Sequence, residues 1–139
     1  SYAKAYTYNF FQDRPVPLEV VGRDGRWSPH IRSEQLVTDA QALKAAGLVH
    51  RSRGTFETSS CTFPRHAIVL FDRADKPVAA ASICLECEGI LVWPDYEHDD
   101  EMPPQAYLKR ERTFEAALGE WRALFGQVLE LPLAYDDGR

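Results

Sequence analysis

The run Ala67-Ile68-Val69-Leu70-Phe71 is apolar throughout, residues 72–77 after it are mostly polar, and residues 78–85 return to mainly apolar side chains. Two short apolar runs around a polar turn are typical of a β-hairpin. Because neither arm alternates regularly with polar residues, we expect both faces of the hairpin to be buried, one of them beneath a helix. With the turn centred near residues 74 and 75, the numbers of residues that face each other add up to about 149.

Weaker patterns on either side of the hairpin predict further elements. Alternating aromatic residues over 5–11 predict a first strand, residues 18–21 a short second one, and residues 89–93 a strand after the hairpin. Thr38 has the hydroxyl of an N-cap residue and begins a predicted helix, which Gly47 ends as a C-cap.

The C-terminal part of the chain predicts a long amphipathic helix over residues 105–128. Large apolar side chains recur there at helical spacing, as is typical of a helix packed on a core. The stripe consists of Tyr107, Phe114, Ala117, Leu118, Trp121, Leu124, Phe125 and Val128. The sequence therefore predicts one α+β domain over residues 1–139. Its small antiparallel sheet is built around a central β-hairpin, and the long C-terminal helix packs on one face.

One group of residues has the spacing of metal ligands: Cys61-x4-His66, followed by Cys84-x2-Cys87. The hairpin register places His66 opposite Ile83 or Cys84, so all four side chains are expected at the open end of the hairpin. Three thiolates and one imidazole form a tetrahedral set that zinc prefers, and copper(I) is the alternative because thiolates bind it well. Four protein ligands leave no open position for water, so the sequence predicts a non-enzymatic metal-binding domain.

Two neighbouring residues also fit the metal interpretation. Pro64 is expected to stiffen the bend between Cys61 and His66, and Arg65 to offset the charge of a zinc trithiolate site.

The cysteines allow other interpretations. Cys84 and Cys87 can instead form a redox disulfide with Cys61 as a resolving thiol, although this Cys-x-x-Cys follows a strand and lacks a helix N-terminus. Free cysteines also serve as inert core residues.

Composition excludes some functions. A formal net charge of −5 and a pI near 5.3 argue against nucleic-acid binding through a basic surface. The sequence contains no run of about 18 apolar residues, so it predicts no transmembrane segment. Three cysteines are an odd number, so at least one thiol lies outside any disulfide within the chain. The acidic loop over 95–104, with His98, is expected to be solvated, and an inhibitor or immunity-type interaction module using it is a further alternative. The sequence identifies no protein partner.

Two segments carry a family resemblance. Residues 61–72, with Cys61, Pro64, His66 and an apolar strand ending at Asp72, and then residues 83–87, with the Cys-x-x-Cys pair, resemble a group of uncharacterised bacterial proteins. Many members of that group look exported or lipid-anchored. The resemblance implies that the four residues act together and favours a periplasmic or cell-surface location, but it supplies no activity.

Overall fold

A computed structural model describes residues 1–10, 18–22, 24–52, 64–85, 89–93, 116–131 and 133. The described chain forms one five-stranded antiparallel sheet with two helices, which confirms the α+β class. In chain order the elements are β1 (Tyr2–Tyr8), β2 (Ile31–Val37), α1 (Asp39–Ser52), β3 (His66–Phe71), β4 (Pro77–Cys84), β5 (Gly89–Trp93) and α2 (116–128). The strands lie side by side in the order β2-β1-β3-β4-β5.

The central hairpin has the predicted register. His66 pairs with Ile83 and Leu70 with Ala79, and the numbers in each pair add up to 149. The register shifts only after Leu70, beside the turn. In that turn one carboxylate oxygen of Asp72 accepts hydrogen bonds from the backbone N–H groups of Ala74 and Lys76, at 2.8 and 3.0 Å. An aspartate that satisfies turn donors in this way fixes the turn and, with it, the pairing of the arms.

Two of the strand predictions differ from the structure. The predicted strand over 18–21 is wrong, because Val21 makes only an isolated bridge to Trp27. Strand β2 was not predicted. It lies at the sheet edge, and its half-buried positions include the polar residues Ser33 and Gln35, so no apolar alternation marks it. The first strand begins and ends three residues earlier than predicted, because Asn9 adopts a left-handed φ of 58° directly after it.

Helix α1 begins where the sequence predicts and ends later. The Thr38 hydroxyl accepts a hydrogen bond from the Gln41 N–H at 3.1 Å, and the Gln41 side chain accepts one from the Thr38 N–H at 2.9 Å. This reciprocal pair is a capping box. The C-cap prediction for Gly47 is wrong, because the helix continues to Ser52. Burial of Leu48 just beyond the glycine offsets the roughly 1 kcal/mol that glycine costs inside a helix.

Helix α2 is shorter, in the described part of the chain, than the long helix predicted. It covers 13 residues, 116–128, while residues 105–115 of the prediction lie outside the described residues. Its last five residues, Leu124–Val128, form a π-helix. The predicted stripe is buried from Ala117 to Phe125, but Val128 is 49% exposed. A π-helix turns less per residue than an α-helix, so a position seven residues beyond Trp121 no longer faces the core.

Strand alternation gives the sheet two different faces. The helix face carries small and aliphatic side chains, packs against α1 and α2, and includes Ala3, Ala5, Ile68, Ala81, Ile83, Leu85 and Ile90. The aromatic face is covered by Val20 and Val21 and includes Tyr6, Tyr8, Ala67, Val69, Phe71 and Ala80. On that face the Phe71 ring stacks on Tyr2 and Trp27, with centroids 5.0 and 6.0 Å away. Described residues cover at least part of each face. No helix among the described residues has the length and hydropathy to cross a bilayer.

Candidate functional site

The candidate site is the end of the hairpin away from its turn, where the two arms part and where the four ligands were predicted. We call it the closed end, because bonds from both faces of the sheet hold it together. It is formed by His66, the first residue of β3, and by Cys84, the last residue of β4. The other two residues of the predicted cluster, Cys61 and Cys87, lie outside the described residues. Two of the four predicted ligands can therefore be located.

His66 lies inside the core on the helix face. It is 1% exposed, and strand pairing sets it between Thr7 of β1 and Ile83 of β4. Its ring makes tilted contacts with Phe125 of α2 and with Phe10, at centroid distances of 4.9 and 5.6 Å. The imidazole is thus part of an aromatic cluster that joins α2 to the sheet, and it is not presented to bulk water.

The Cys84 side chain lies on the opposite face of the sheet from His66. Its neighbours Ile83 and Leu85 both belong to the helix-face core. Because successive residues of a strand point to opposite faces, the Cys84 side chain leaves the sheet on the aromatic face. The structure therefore brings His66 and Cys84 to the same end of the hairpin but not to the same face. One ion bound by both would require one of these side chains to leave its face.

Cys84 is also oxidised. It is disulfide-bonded and 3% exposed. The chain has three cysteines, so within the chain its partner is either Cys61 or Cys87. Metal binding needs the thiolate, which a disulfide sulfur no longer supplies. For Cys84, a disulfide and a metal bond are thus mutually exclusive states.

A buried polar network around Asn9 supports the closed end, and no sequence pattern predicted it. The Ser28 hydroxyl donates to the Asn9 side-chain carbonyl at 3.4 Å, and the Asn9 amide donates to the backbone carbonyl of Pro64 at 3.4 Å. The guanidinium of Arg65 donates to the backbone carbonyl of Asn9. These bonds satisfy polar groups where β1 ends in a left-handed residue. In this structure the Arg65 guanidinium thus binds the backbone directly after β1.

Two further bonds join the neighbouring elements to this end. Arg122 of α2 donates from its guanidinium to the backbone carbonyl of Leu85 at 2.6 Å. The Tyr8 hydroxyl donates to the backbone carbonyl of Leu18 at 2.7 Å on the other face. Burial raises the pKa of Tyr8 well above its ordinary value of 10, so the phenol is neutral across the physiological range. The closed end is thus held from both faces.

No group of three or more His, Cys, Asp or Glu side chains is placed to hold a metal among the residues that the structure describes. Because Cys61 and Cys87 are not among them, the Cys3His site stays a prediction. Comparison of the chain with protein-family models, curated proteins and solved structures finds no match. A function for this chain has to be argued from its own residues.

Proposed function

We propose that this chain is a non-enzymatic domain of an oxidising compartment, in which a structural disulfide through Cys84 fixes the closed end of the central hairpin. The observation that carries the proposal is the disulfide-bonded state of Cys84 together with its exposure of only 3%. Disulfides persist in extracellular and periplasmic surroundings and are rare in the reducing cytosol.

Burial favours a structural role for this disulfide over a redox role. Thiol–disulfide exchange requires access of an attacking thiolate to one sulfur of the bond. Reactive cysteines lie in partly exposed, electropositive surroundings, often at a helix N-terminus. Cys84 instead ends a strand, between the core residues Ile83 and Leu85. A bond in this position stabilises the fold by restricting the unfolded chain.

A metal centre is the second candidate, and the ligand spacing supports it. In a reduced chain, Cys61, Cys84 and Cys87 would supply three thiolates and His66 an imidazole, a set suited to zinc or to copper(I). This candidate requires His66 or Cys84 to reorient, since strand alternation assigns them to different faces. It also requires a compartment that keeps all three thiols reduced.

Counting free thiols and bound metal in one sample separates the two candidates. The full chain is equilibrated in a glutathione buffer of periplasmic poise with one equivalent of Zn²⁺, then alkylated in denaturant without reductant. Mass spectrometry counts the modified thiols, and elemental analysis measures the zinc that stays with the native protein. We expect one alkylated thiol per chain and no stoichiometric zinc. Three alkylated thiols with one bound zinc would overturn the structural disulfide and support the metal centre.

A matched pair of substitutions identifies the partner of Cys84. Cys61→Ser and Cys87→Ser each remove one of the two candidate partners. Replacing the partner leaves two free thiols, whereas replacing the other cysteine leaves none. We therefore expect thiol counts of two and zero for the pair. Two thiols in both variants would contradict a disulfide through Cys84.

A further inference from the structure

A cavity of the described fold lies at the other end of the helix face, between α1 and the strands. This cavity has a volume of about 240 Å³ and is lined by twelve residues, seven of which are alanines. We call it the alanine cavity, after Ala3, Ala42, Ala45, Ala46, Ala79, Ala80 and Ala81. Ile68 and Leu70 of β3 complete its floor. The cavity is partly open to solvent, and concave apolar surfaces of this kind are typical of sites that bind small molecules.

Small side chains on both of its walls create the cavity. Ala42, Ala45 and Ala46 recur at helical spacing on α1, and Ala79 and Ala81 lie on the same face of β4. An alanine-rich helix can pack close to a sheet, which would close the gap. Here α1 is held in place, because it starts directly after β2 and its Leu48 is fully buried in the core. The helix position and the short side chains together leave the space open.

The lining also defines the chemistry of an occupant. Every described residue that lines the cavity is Ala, Val, Ile, Leu or Trp, so none of them offers an ionisable group to pair with a charge. A charged group would lose its hydration here without compensation. Leu70, which is 40% exposed, and Ala46, which is exposed, give the cavity contact with the surface. An apolar molecule can therefore reach the space and gain from leaving water.

We infer that the alanine cavity is a binding site for a small uncharged apolar molecule, of the size of a two-ring aromatic compound or a short acyl chain. Dry apolar cavities of about 150 Å³ take up benzene, so one of about 240 Å³ holds a somewhat larger hydrocarbon. This inference is independent of the oxidation state of Cys84, which lies at the other end of the sheet.

The alanine methyl groups provide the test. The full chain is prepared with labelled alanine methyls and titrated with naphthalene while a methyl NMR spectrum is recorded. We expect saturable shifts at Ala42 and Ala79, which line the cavity, and no saturable shifts at Ala40 or Ala74, which are exposed and outside it. The charged analogue naphthalene-2-sulfonate is expected to bind at least tenfold more weakly. Absence of saturable shifts in the cavity, or equal binding of the charged analogue, would overturn the inference.

Filling the cavity gives an independent control. Ala42→Leu on the inner side of α1 is expected to abolish naphthalene binding and to raise Tm, because the leucine occupies the same space. Ala40→Leu makes the same chemical change on the exposed side of α1 and is expected to leave binding within twofold of wild type. Naphthalene binding that survives in folded Ala42→Leu would contradict the site. Should Ala42→Leu fail to fold, Ala79→Leu fills the cavity from β4 and is judged by the same criterion.

Discussion

The two ends of the helix face are filled in different ways. At the closed end, large rings from α2 and β3 are in mutual contact: Trp121 stacks on Phe125 at 5.9 Å, and Phe125 meets His66 at 4.9 Å. At the other end, alanines of α1 and β4 face each other across a space of about 240 Å³. One sheet thus carries a tightly packed, cross-linked end and a loosely filled one. The difference suggests that the first end maintains the fold while the second is available for a ligand.

The largest effect is expected from removing the central ring of the closed end. Trp121 is fully buried, so Trp121→Ala is expected to lower the free energy of unfolding by about 3–5 kcal/mol. Urea denaturation followed by circular dichroism measures the change. Leu43→Ala is the control, because Leu43 is 76% exposed on α1 and its truncation is expected to cost less than about 0.5 kcal/mol. Similar losses in the two variants would show that the closed end is not the tightly packed one.

Reducing the disulfide is expected to have the next largest effect, and its size depends on the partner of Cys84. Loop-closure entropy predicts a loss of about 2 kcal/mol for a bond to Cys87 and about 3.5 kcal/mol for a bond to Cys61, since the second loop is longer. Urea denaturation with and without a phosphine reductant measures the loss. Cys84→Ser should be insensitive to the reductant. If the wild-type denaturation curve is the same with and without reductant, no disulfide stabilises the closed end.

A smaller, pH-dependent effect is expected at Tyr8, on the aromatic face of the closed end. Tyr8→Phe loses the hydrogen bond to the Leu18 carbonyl, which at neutral pH is expected to cost about 1–2 kcal/mol. Burial raises the pKa of Tyr8 in the folded state, so above pH 10 the unfolded chain ionises while the folded chain keeps its proton. Wild-type stability therefore falls as pH rises past 10.

The variant lacks that phenol, and its stability should fall less between pH 9 and 11. Urea denaturation at several pH values checks this. Tyr2→Phe is the control, since the Tyr2 hydroxyl bonds an exposed carboxylate of Asp75 and its loss should change the slope less. Parallel pH profiles for wild type and Tyr8→Phe would contradict a buried neutral phenol.

The sequence predicted those parts of the fold that depend on local patterns. The apolar arms and the Asp72 turn were sufficient for the hairpin and its register, and Thr38 for the start of α1. Strand β2 was missed because its polar residues are typical of a loop. It forms a strand because it pairs with β1, and a local sequence pattern does not show that pairing. The C-cap prediction for Gly47 was wrong for a similar reason. The helix continues past the glycine because Leu48 is buried, and that burial depends on the tertiary fold.

Of the candidate site, only the positions of His66 and Cys84 along the hairpin can be compared with the prediction. Spacing gathers His66 and Cys84 at one end of the hairpin, and the structure agrees. The prediction allowed His66 to pair with either Ile83 or Cys84, and the structure shows the pair with Ile83. This difference of one residue in register places the His66 and Cys84 side chains on opposite faces of the sheet. The alanine cavity left no motif in the sequence, since it arises where two alanine-rich walls meet across the fold.

The smallest expected effect concerns the cap of α1, which forms the wall of the loosely filled end. Thr38→Ala removes the hydroxyl that accepts from Gln41 and is expected to lower the free energy of unfolding by about 1 kcal/mol. Thr38→Ser keeps a hydroxyl and should stay near wild type. Because the cap fixes the start of α1 above the cavity, naphthalene binding should weaken in Thr38→Ala and not in Thr38→Ser. If stability falls while binding is unchanged, the position of α1 does not depend on its cap, and the burial of Leu48 alone must hold the helix over the cavity.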